Sequence, residues 1–359
     1  MQTITATRVF DADGHVFENE RDIFNYLPGV YRGREELLRT HLFPAPDPYN
    51  KTAMAIAGRF KEGAVSETFR RAQFAITARE WNAFLDLSEI EGTVLYPTAG
   101  LRLGLIRDAD WGAALAHAYN DWMHTTFTRD NSRIRAVALL PVQDPQLAVR
   151  ELRRAVTELG AAGGLIVAAQ RRRAFGDPYY DPIYAEAQRL DVPIAIHAGG
   201  PGNRYEMFDR AIESRCVGHP TSLVIEMTSM MFGGVFDRFP TLRFSFMEGG
   251  IAWLLFLRER MHEAYEQWSV QAPELRCDPD EHLTSGRIFF HCEADERIIP
   301  YAVSVLGEDA LLYASDFPHI APEKIVAEKE HFLARADLSE GAKAKIVRTN
   351  ALRLYKVQS

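Results

Sequence analysis

The sequence predicts a (β/α)8 barrel, in which eight parallel strands close into a ring and helices surround it. Short β-branched apolar runs alternate with longer amphipathic segments, as in β/α units built on a parallel sheet. Eight such runs occur, and the 359 residues of the chain exceed the roughly 250 that such a barrel usually requires. A doubly wound open sheet is the alternative, but no GxGxxG motif follows the first predicted strand.

The predicted strands are short and apolar, and they are spaced along the whole chain. With 47% hydrophobic and 25% charged residues, the chain has the composition of a globular protein that can bury a sizeable core. The strands are expected at Thr5–Phe10, Gly92–Tyr96, Ile134–Leu140, Gly164–Ala168, Val192–His197, Leu242–Met247, Arg287–His291 and Ala310–Ala314.

Predicted helices fill the gaps between these strands. Thr77 and Glu80 form a capping box that begins a helix ending near Glu89. Pro145 begins another helix, which Gly160 ends. The remaining helices are expected at Trp111–Arg129, Asp181–Leu190, Leu223–Phe232, Ala252–Trp268, Arg297–Leu306, Lys324–Ala334 and Ser339–Thr349.

One long segment does not fit the alternation of strands and helices. Residues Pro28–Ile76 are rich in proline, glycine, arginine and aromatic residues. We expect a lid or small subdomain here, inserted after the first strand. Residues 1–359 otherwise form a single domain in this prediction.

Composition and charge argue against several classes of partner. The net charge is −8, and only the short run Arg171–Arg173 is strongly basic, so we expect no nucleic-acid partner. No apolar run reaches the roughly 18–20 residues of a membrane span, and the first residues lack a signal-peptide pattern. The three cysteines are scattered, which is typical of the reducing cytoplasm.

Acidic residues and histidines collect at the predicted strand ends. A barrel of this kind carries its active site at the C-terminal ends of its strands. Asp11, Asp13 and His15 alternate along an extended segment, so their side chains point to the same side. Five of the eight strands end in or lead into such residues, which are Asp13, His15, His197, Glu248, His291, Asp316 and His319.

This pattern predicts a metal site. Imidazole and carboxylate groups suit a divalent ion such as Zn, Mn or Fe, and no cysteine pair has the spacing of a zinc site. We interpret Asp13, His15, His197 and Asp316 as the ligands of one ion. Such an ion lowers the pKa of bound water to around 7 or polarises a carbonyl or carboxylate oxygen. Glu248 could then move protons beside it.

Each of these residues also has a purely structural interpretation. Asp316 could cap a loop or helix, and Glu248 could pair with Arg243. His219 could cap the helix that follows it or lie in a loop over the pocket. The agreement of several independent strand ends favours a shared metal site.

Four stretches of the sequence resemble one family. "DADGHVFE", "PIAIHAGG", "FPTLRFSFMEGGIAWL" and "LLYASDFPH" resemble amidohydrolase-related proteins of the aminocarboxymuconate-semialdehyde decarboxylase type. The resemblance implies a (β/α)8 barrel with one divalent metal, Zn or Mn, and a small acidic organic substrate. It also implies a homodimer, which the aromatic-rich segments "REWNAFLDL" and "HAYNDWMHTTF" could support.

Two positions depart from the pattern of this family. The first strand usually offers His-x-His, whereas here the pair is Asp13-x-His15. An oxygen ligand in place of a nitrogen shifts the expected ion toward Mn. The better-known decarboxylases have a catalytic histidine after strand six, where this chain has Glu248.

The resemblance implies two activities. In a metal-dependent lyase that decarboxylates an aromatic or unsaturated acid, Asp316 or Glu248 protonates the carbon that loses CO2. In a metal-dependent hydrolase of amides, lactones or esters, Asp316 takes the proton of an activated water. His291 or His219 then holds the developing oxyanion. A non-catalytic barrel that serves as a scaffold is the third hypothesis.

Overall fold

The computed structural model describes residues 8–39, 41–44, 76–168, 173–199 and 211–357. Within these ranges, eight parallel strands form one sheet in sequence order, each paired with the next. Helices lie between successive strands, so the predicted (β/α)8 barrel is confirmed.

The predicted insertion at Pro28–Ile76 is described only in part. Its residues 40 and 45–75 lie outside the described residues. The interpretation of this segment as a lid therefore stays a prediction.

The strands follow the predicted pattern closely. After the first strand, every strand begins and ends within two residues of its predicted bounds. The strands are β1 (Val9–His15), β2 (Ile90–Tyr96), β3 (Ile134–Leu139), β4 (Gly163–Ala168), β5 (Ile194–Ala198), β6 (Phe244–Met247), β7 (Ile288–Cys292) and β8 (Leu311–Tyr313).

The predicted bounds of the first strand are wrong. β1 extends through His15, so Asp13 and His15 lie inside the strand rather than after it. Polar residues are accommodated there because the pairing with β2 shifts register after Asp11, and because Asp11 accepts a hydrogen bond from the Thr93 hydroxyl. Residues 1–7, where the predicted strand begins, lie outside the described residues.

The helices occupy the outside of the barrel and its ends. Two of them, Ala109–Met123 and Glu340–Ala344, continue into a π-helical turn. The helices are α1 (Glu20–Phe24), α2 (Ala78–Ser88), α3 (Ala109–Met123), α4 (Pro145–Leu159), α5 (Asp181–Leu190), α6 (Ala211–Phe232), α7 (Val235–Arg238), α8 (Ala252–Trp268), α9 (Pro279–Leu283), α10 (Ile299–Leu306), α11 (Pro322–Leu333), α12 (Glu340–Ala344) and α13 (Asn350–Tyr355).

The helix termini predicted from local signals are confirmed. Thr77 Oγ1 accepts a hydrogen bond from the Glu80 N–H (3.3 Å), and the Thr77 N–H donates to Glu80 Oε2 (2.7 Å). These two bonds form the capping box that begins α2. Asp144 caps α4 ahead of Pro145, and Gly160 ends it with a φ of +70°, a conformation that glycine adopts readily.

One helix begins earlier than predicted. α6 starts at Ala211 rather than at Leu223, and Pro220 lies inside it. A proline inside a helix removes a backbone hydrogen bond and usually marks a boundary, which is why the sequence indicates a later start. His219 therefore lies within α6 and not in a loop over the pocket.

The N-terminal ends of the strands are covered by the last helix. Arg243, just before β6, donates from Nε to the Leu354 carbonyl (2.9 Å). The Tyr355 hydroxyl reaches into the barrel and lies 2.5 Å from the Tyr96 hydroxyl. The strand ends that carry the predicted site residues lie at the other end of the barrel.

Glu186 joins helices α4 and α5. Glu186 of α5 accepts hydrogen bonds from Arg189 (2.7 and 2.9 Å) and from Arg153 of α4 (2.7 Å). These bonds lower the pKa of Glu186 from 4.5 to about 2. Because the pKa is lower in the folded state, the contact stabilises the fold above pH 4.5 and is lost as the pH falls toward 2.

We expect Glu186→Gln to lower the free energy of unfolding at pH 7 by about 1 kcal/mol. In urea titrations, the difference in the free energy of unfolding between Glu186→Gln and wild type should become smaller as the pH falls below 4.5. Glu158→Gln, at an exposed position of α4, is the control and should have little effect. A difference that stays constant between pH 7 and pH 3 would contradict the assignment.

Candidate metal centre

Three of the predicted ligands meet at the C-terminal end of the barrel. Asp13, His15 and His197 each place one ligand atom within 4.8 Å of the others. Asp13 Oδ1 lies 3.5 Å from His15 Nε2, and Asp13 Oδ2 lies 3.4 Å from His197 Nε2. All three side chains are buried. The geometry thus brings together residues from β1 and β5.

The inward-facing atoms of this cluster lack hydrogen-bond partners. Asp13 Oδ1, His15 Nε2 and His197 Nε2 are buried and make no hydrogen bond. The other ring nitrogens are held, since His15 Nδ1 lies 2.9 Å from the Pro97 carbonyl and His197 Nδ1 lies 2.9 Å from the Ala198 carbonyl. Because a carbonyl only accepts hydrogen bonds, each Nδ1 must carry the hydrogen and donate it, which leaves the Nε2 lone pair directed at the cluster.

This arrangement fits a bound cation. Leaving a buried polar atom unsatisfied costs about 1–3 kcal/mol, and such atoms are rare in native proteins unless a water or an ion satisfies them. Metal-binding histidines commonly donate their second ring N–H to a carbonyl, as His15 and His197 do. The donor set of two nitrogens and a carboxylate suits a divalent transition metal.

The charges around the cluster also favour a bound cation. Burial and the neighbouring His319 lower the pKa of His15 to about 4, so its ring stays neutral, as a metal ligand must. Burial opposes a charge on His197, but the carboxylates of Asp13 and Glu248 raise its pKa to about 9. The carboxylates therefore favour positive charge beside His197, which a divalent cation supplies.

Asp316 adjoins the cluster through His15. Its Oδ1 lies 3.6 Å from His15 Nε2 and 2.6 Å from His319 Nδ1. Asp316, His15 and His319 form a second overlapping group of possible ligands. Burial alone would raise the pKa of Asp316, but His319 lowers it to about 2. Asp316 is therefore ionised, and it is a better ligand or proton acceptor than proton donor.

Glu248 lies between two histidines next to the cluster. Oε2 is 3.5 Å from His197 Nδ1, and Oε1 is 3.6 Å from His219 Nδ1 of α6. Glu248 directly follows β6 and adopts a φ of +60°. The alternative pairing with Arg243 is wrong, because Arg243 binds Asp191 (2.9 Å) at the opposite end of the barrel.

His291 also lies in the barrel but apart from the ligand groups. It belongs to β7 and is 2% exposed. Neither ring nitrogen makes a hydrogen bond. The described groups of three possible metal ligands do not include it.

Sequence reasoning missed the residues that position the cluster. Asp11 accepts four hydrogen bonds, from the Asp13 N–H (3.2 Å), the Ser315 N–H and hydroxyl (both 2.8 Å) and the Thr93 hydroxyl (2.7 Å). It shares a face with Asp13 but lies two residues, or roughly 7 Å, deeper along the strand. Asp11 therefore holds β1, β2 and the end of β8 together instead of binding a ligand.

In a second group of possible metal ligands, both ring nitrogens of the histidine have partners. Asp237, Cys277 and His282 approach one another before β7, at the N-terminal end of the barrel. His282 Nε2 lies 2.9 Å from Asp237 Oδ2, and its Nδ1 lies 3.1 Å from an Arg287 nitrogen. Both ring nitrogens are thus occupied, and the arginine opposes a second cation.

The chain is similar to known proteins over most of its length. The sequence profile described as amidohydrolase matches residues 97–357. The gamma-resorcylate decarboxylase of Rhodococcus jostii is 30% identical over 264 residues, which cover 68% of this chain and 77% of that protein. The 2-amino-3-carboxymuconate-6-semialdehyde decarboxylase of Dictyostelium discoideum is 26% identical over 243 residues, which cover 66% of this chain and 65% of that protein.

A solved structure shows the same fold. The dihydroxybenzoic acid decarboxylase of Polaromonas sp. JS666, crystallised with manganese and 2-nitroresorcinol, superposes with a TM-score of 0.70. The two chains are 20% identical, and the match covers 98% of this chain and 97% of the other. The resemblance inferred from the strand-end motifs is confirmed by these matches.

We predict that the chain binds one divalent ion at the cluster of Asp13, His15 and His197. Asp13→Asn and His197→Gln should each weaken Mn²⁺ binding by roughly 100-fold or more, since even outer-shell changes cost 10–100-fold. His262→Gln is the control, because that imidazole is half exposed and pairs with Asp278. Calorimetric titration of chelator-treated protein measures the affinity. Equal affinity in Asp13→Asn and wild type would reject the site.

Proposed function

The chain belongs to the amidohydrolase family, and we propose that it is a metal-dependent carboxy-lyase acting on a small aromatic or unsaturated acid. The observation that carries this proposal is the buried cluster of Asp13, His15 and His197, whose inward-facing atoms have no partner. The relatives named gamma-resorcylate decarboxylase and 2-amino-3-carboxymuconate-6-semialdehyde decarboxylase support the reaction class.

Asp13, His15, His197 and Asp316 would hold the metal. Two nitrogen and two oxygen donors suit Mn or Zn, and the second carboxylate favours Mn. The manganese in the Polaromonas structure supports this choice. When bound, the ion polarises the substrate carboxylate and a neighbouring oxygen.

Glu248 is the residue we assign to proton transfer. Loss of CO2 leaves the electron pair of the broken C–C bond on carbon, and that carbon must take up a proton. Asp316 is a poor donor because His319 keeps it ionised. Glu248 lies at the end of β6 between His197 and His219, so its carboxylate can take a proton from His219 and pass it to that carbon in each turnover.

The loops of β6 and β7 fix the position of Glu248. Both carboxylate oxygens of Glu296, which follows β7, accept hydrogen bonds from the Ile251 N–H (2.9 and 3.1 Å). A side chain at Gly250 would lie 2.7 Å from the same carboxylate. Glu296 thus holds the turn after Glu248 close to β7 and limits the movement of the proton donor.

A metal-dependent hydrolase of amides, lactones or esters is the second candidate. It is favoured by the ionised state of Asp316, which can accept a proton from an attacking water. In that reaction His219 or His291 would stabilise the developing oxyanion. The two activities differ in whether CO2 is released.

We also propose a homodimer located in the cytoplasm. Large apolar side chains are exposed on α8 and α10, including Phe256, Trp268 and Tyr301, and they support an interface. The aromatic-rich segments "REWNAFLDL" and "HAYNDWMHTTF" do not support an interface through their tryptophans, since Trp81 and Trp122 are buried in the core. The helices in the described ranges include none that is both long and apolar enough to span a bilayer.

The test is CO2 release from a panel of hydroxybenzoates and unsaturated acids, with amides and lactones alongside. We expect the manganese-loaded wild type to release CO2 from at least one acid. Glu248→Gln should lower kcat by roughly 10²–10⁴-fold, the usual contribution of a general acid, with metal content unchanged.

Two further variants complete the test. Asp316→Asn should abolish turnover while the protein stays folded, and Glu266→Gln, at an exposed position of α8, should match wild type. Hydrolysis of an amide or lactone without CO2 release would favour the second candidate. Full activity in Glu248→Gln would remove Glu248 from the mechanism.

A further inference from the structure

His291 is a buried imidazole for which the fold offers no hydrogen bond. It is 2% exposed, and both Nδ1 and Nε2 lack a partner. His15 and His197, by contrast, each have one nitrogen bonded to a backbone carbonyl. A buried polar group without a partner destabilises the folded protein, and where native proteins keep one it often serves a ligand or a reaction.

The strand places this ring inside the barrel. Phe290, the preceding residue, packs against Phe246 and against Trp253 of the outer helix α8, so its side chain points outward. Successive side chains of a strand point to opposite faces. His291 therefore points into the barrel interior.

The sheet register relates His291 to the proposed metal ligand His197. His197 of β5 is paired with Met247 of β6. Phe246 is paired with Phe290 of β7, so the next residues along, Met247 and His291, are level with each other. His291 thus lies two strands from His197, in the same register of the sheet.

The surroundings of His291 are acidic. Glu293, two residues further along the chain, interacts electrostatically with His291, Asp316 and Glu248. With Asp13, four carboxylates lie in or beside this end of the barrel. An anionic substrate entering here needs hydrogen-bond donors as well as a metal to offset their repulsion. The N–H of His291 has no competing acceptor.

We propose that His291 is a substrate-contacting residue whose ring N–H donates a hydrogen bond to the carboxylate of the acid. This inference rests on the proposed function and adds the orientation of the substrate. The carboxylate enters first and reaches His291, while the rest of the molecule lies toward the mouth, beside Glu248. The bound species is the carboxylate anion, and the decarboxylated product loses this contact.

The experiment compares binding of an acid and of the same compound without its carboxylate. The probes are 2,6-dihydroxybenzoate against 1,3-dihydroxybenzene, and salicylate against phenol, titrated calorimetrically into manganese-loaded protein. We expect His291→Leu to weaken acid binding by about tenfold or more, as for loss of a charged hydrogen bond. Binding of the phenols should change less than threefold. His291→Gln, which keeps a donor, should recover part of the acid affinity.

Thermal unfolding without ligand tests the alternative that His291 is structural. Leucine removes two buried nitrogens that have no partner, so the Tm of His291→Leu should equal or exceed that of wild type. The matched control is His282→Leu, since both ring nitrogens of this buried histidine are occupied. That variant should have a lower Tm.

The possible outcomes separate the two proposals. A lower Tm or lost manganese in His291→Leu, or a reduced kcat with unchanged acid affinity, would overturn the role of His291. If His291→Leu binds the acids in preference to the phenols by the same factor as wild type does, the role of His291 is also overturned. Acid binding in wild type without CO2 release would overturn the lyase and leave the binding comparison valid. A wild-type protein that binds none of the acids would overturn both.

Discussion

The junction between the first and last strands is the constraint on which the rest of the structure depends. The Asp316 N–H donates to the Asp13 carbonyl (3.1 Å), and the His15 N–H donates to the Phe317 carbonyl (2.7 Å). The Asp11 carboxylate binds Ser315, 304 residues away in the chain. These bonds close the ring, and they bring Asp316 to the side of His15. Without this junction the proposed ligands Asp13 and His15 of β1 would have no partner from the end of the chain.

The junction also explains how a buried polar cluster is tolerated. Asp11 is fully satisfied by its four donors, whereas Asp13, His15 and His197 each retain an atom without a hydrogen bond. The atoms of these three residues that lack a partner are the ones that face the centre of the cluster, while the Nδ1 atoms of both histidines bond to backbone carbonyls. Glu248 adjoins His197 and His219, and Asp316 adjoins His15 and His319, so acid–base groups lie beside the proposed metal ligands.

Much of the fold and of the candidate site could be predicted from the sequence, because the alternation of side chains along a strand and the ends of strands are local signals. The predicted ends of β5 and β6 place His197 and Glu248 at the open end of the barrel, as observed. Other features depend on contacts between distant residues. The sequence places Asp11 on the same side of the strand as Asp13, but it does not show that Ser315 and Thr93 donate hydrogen bonds to Asp11. The contacts of His319, with Asp316 at one ring nitrogen and with Thr98 from the loop after β2 at the other, are likewise visible only in the structure. The early start of α6 was hidden by Pro220, which the surrounding packing accommodates within the helix.

The central claim is that side chains from the beginning, middle and end of the chain bind one cation. Anomalous diffraction from crystals grown with Mn²⁺ tests this most directly. We expect a single strong peak at coordination distance from Asp13, His15 and His197, with Asp316 adjoining it. A peak only beside Asp237, Cys277 and His282, or no peak in crystals of protein saturated with manganese, would contradict it.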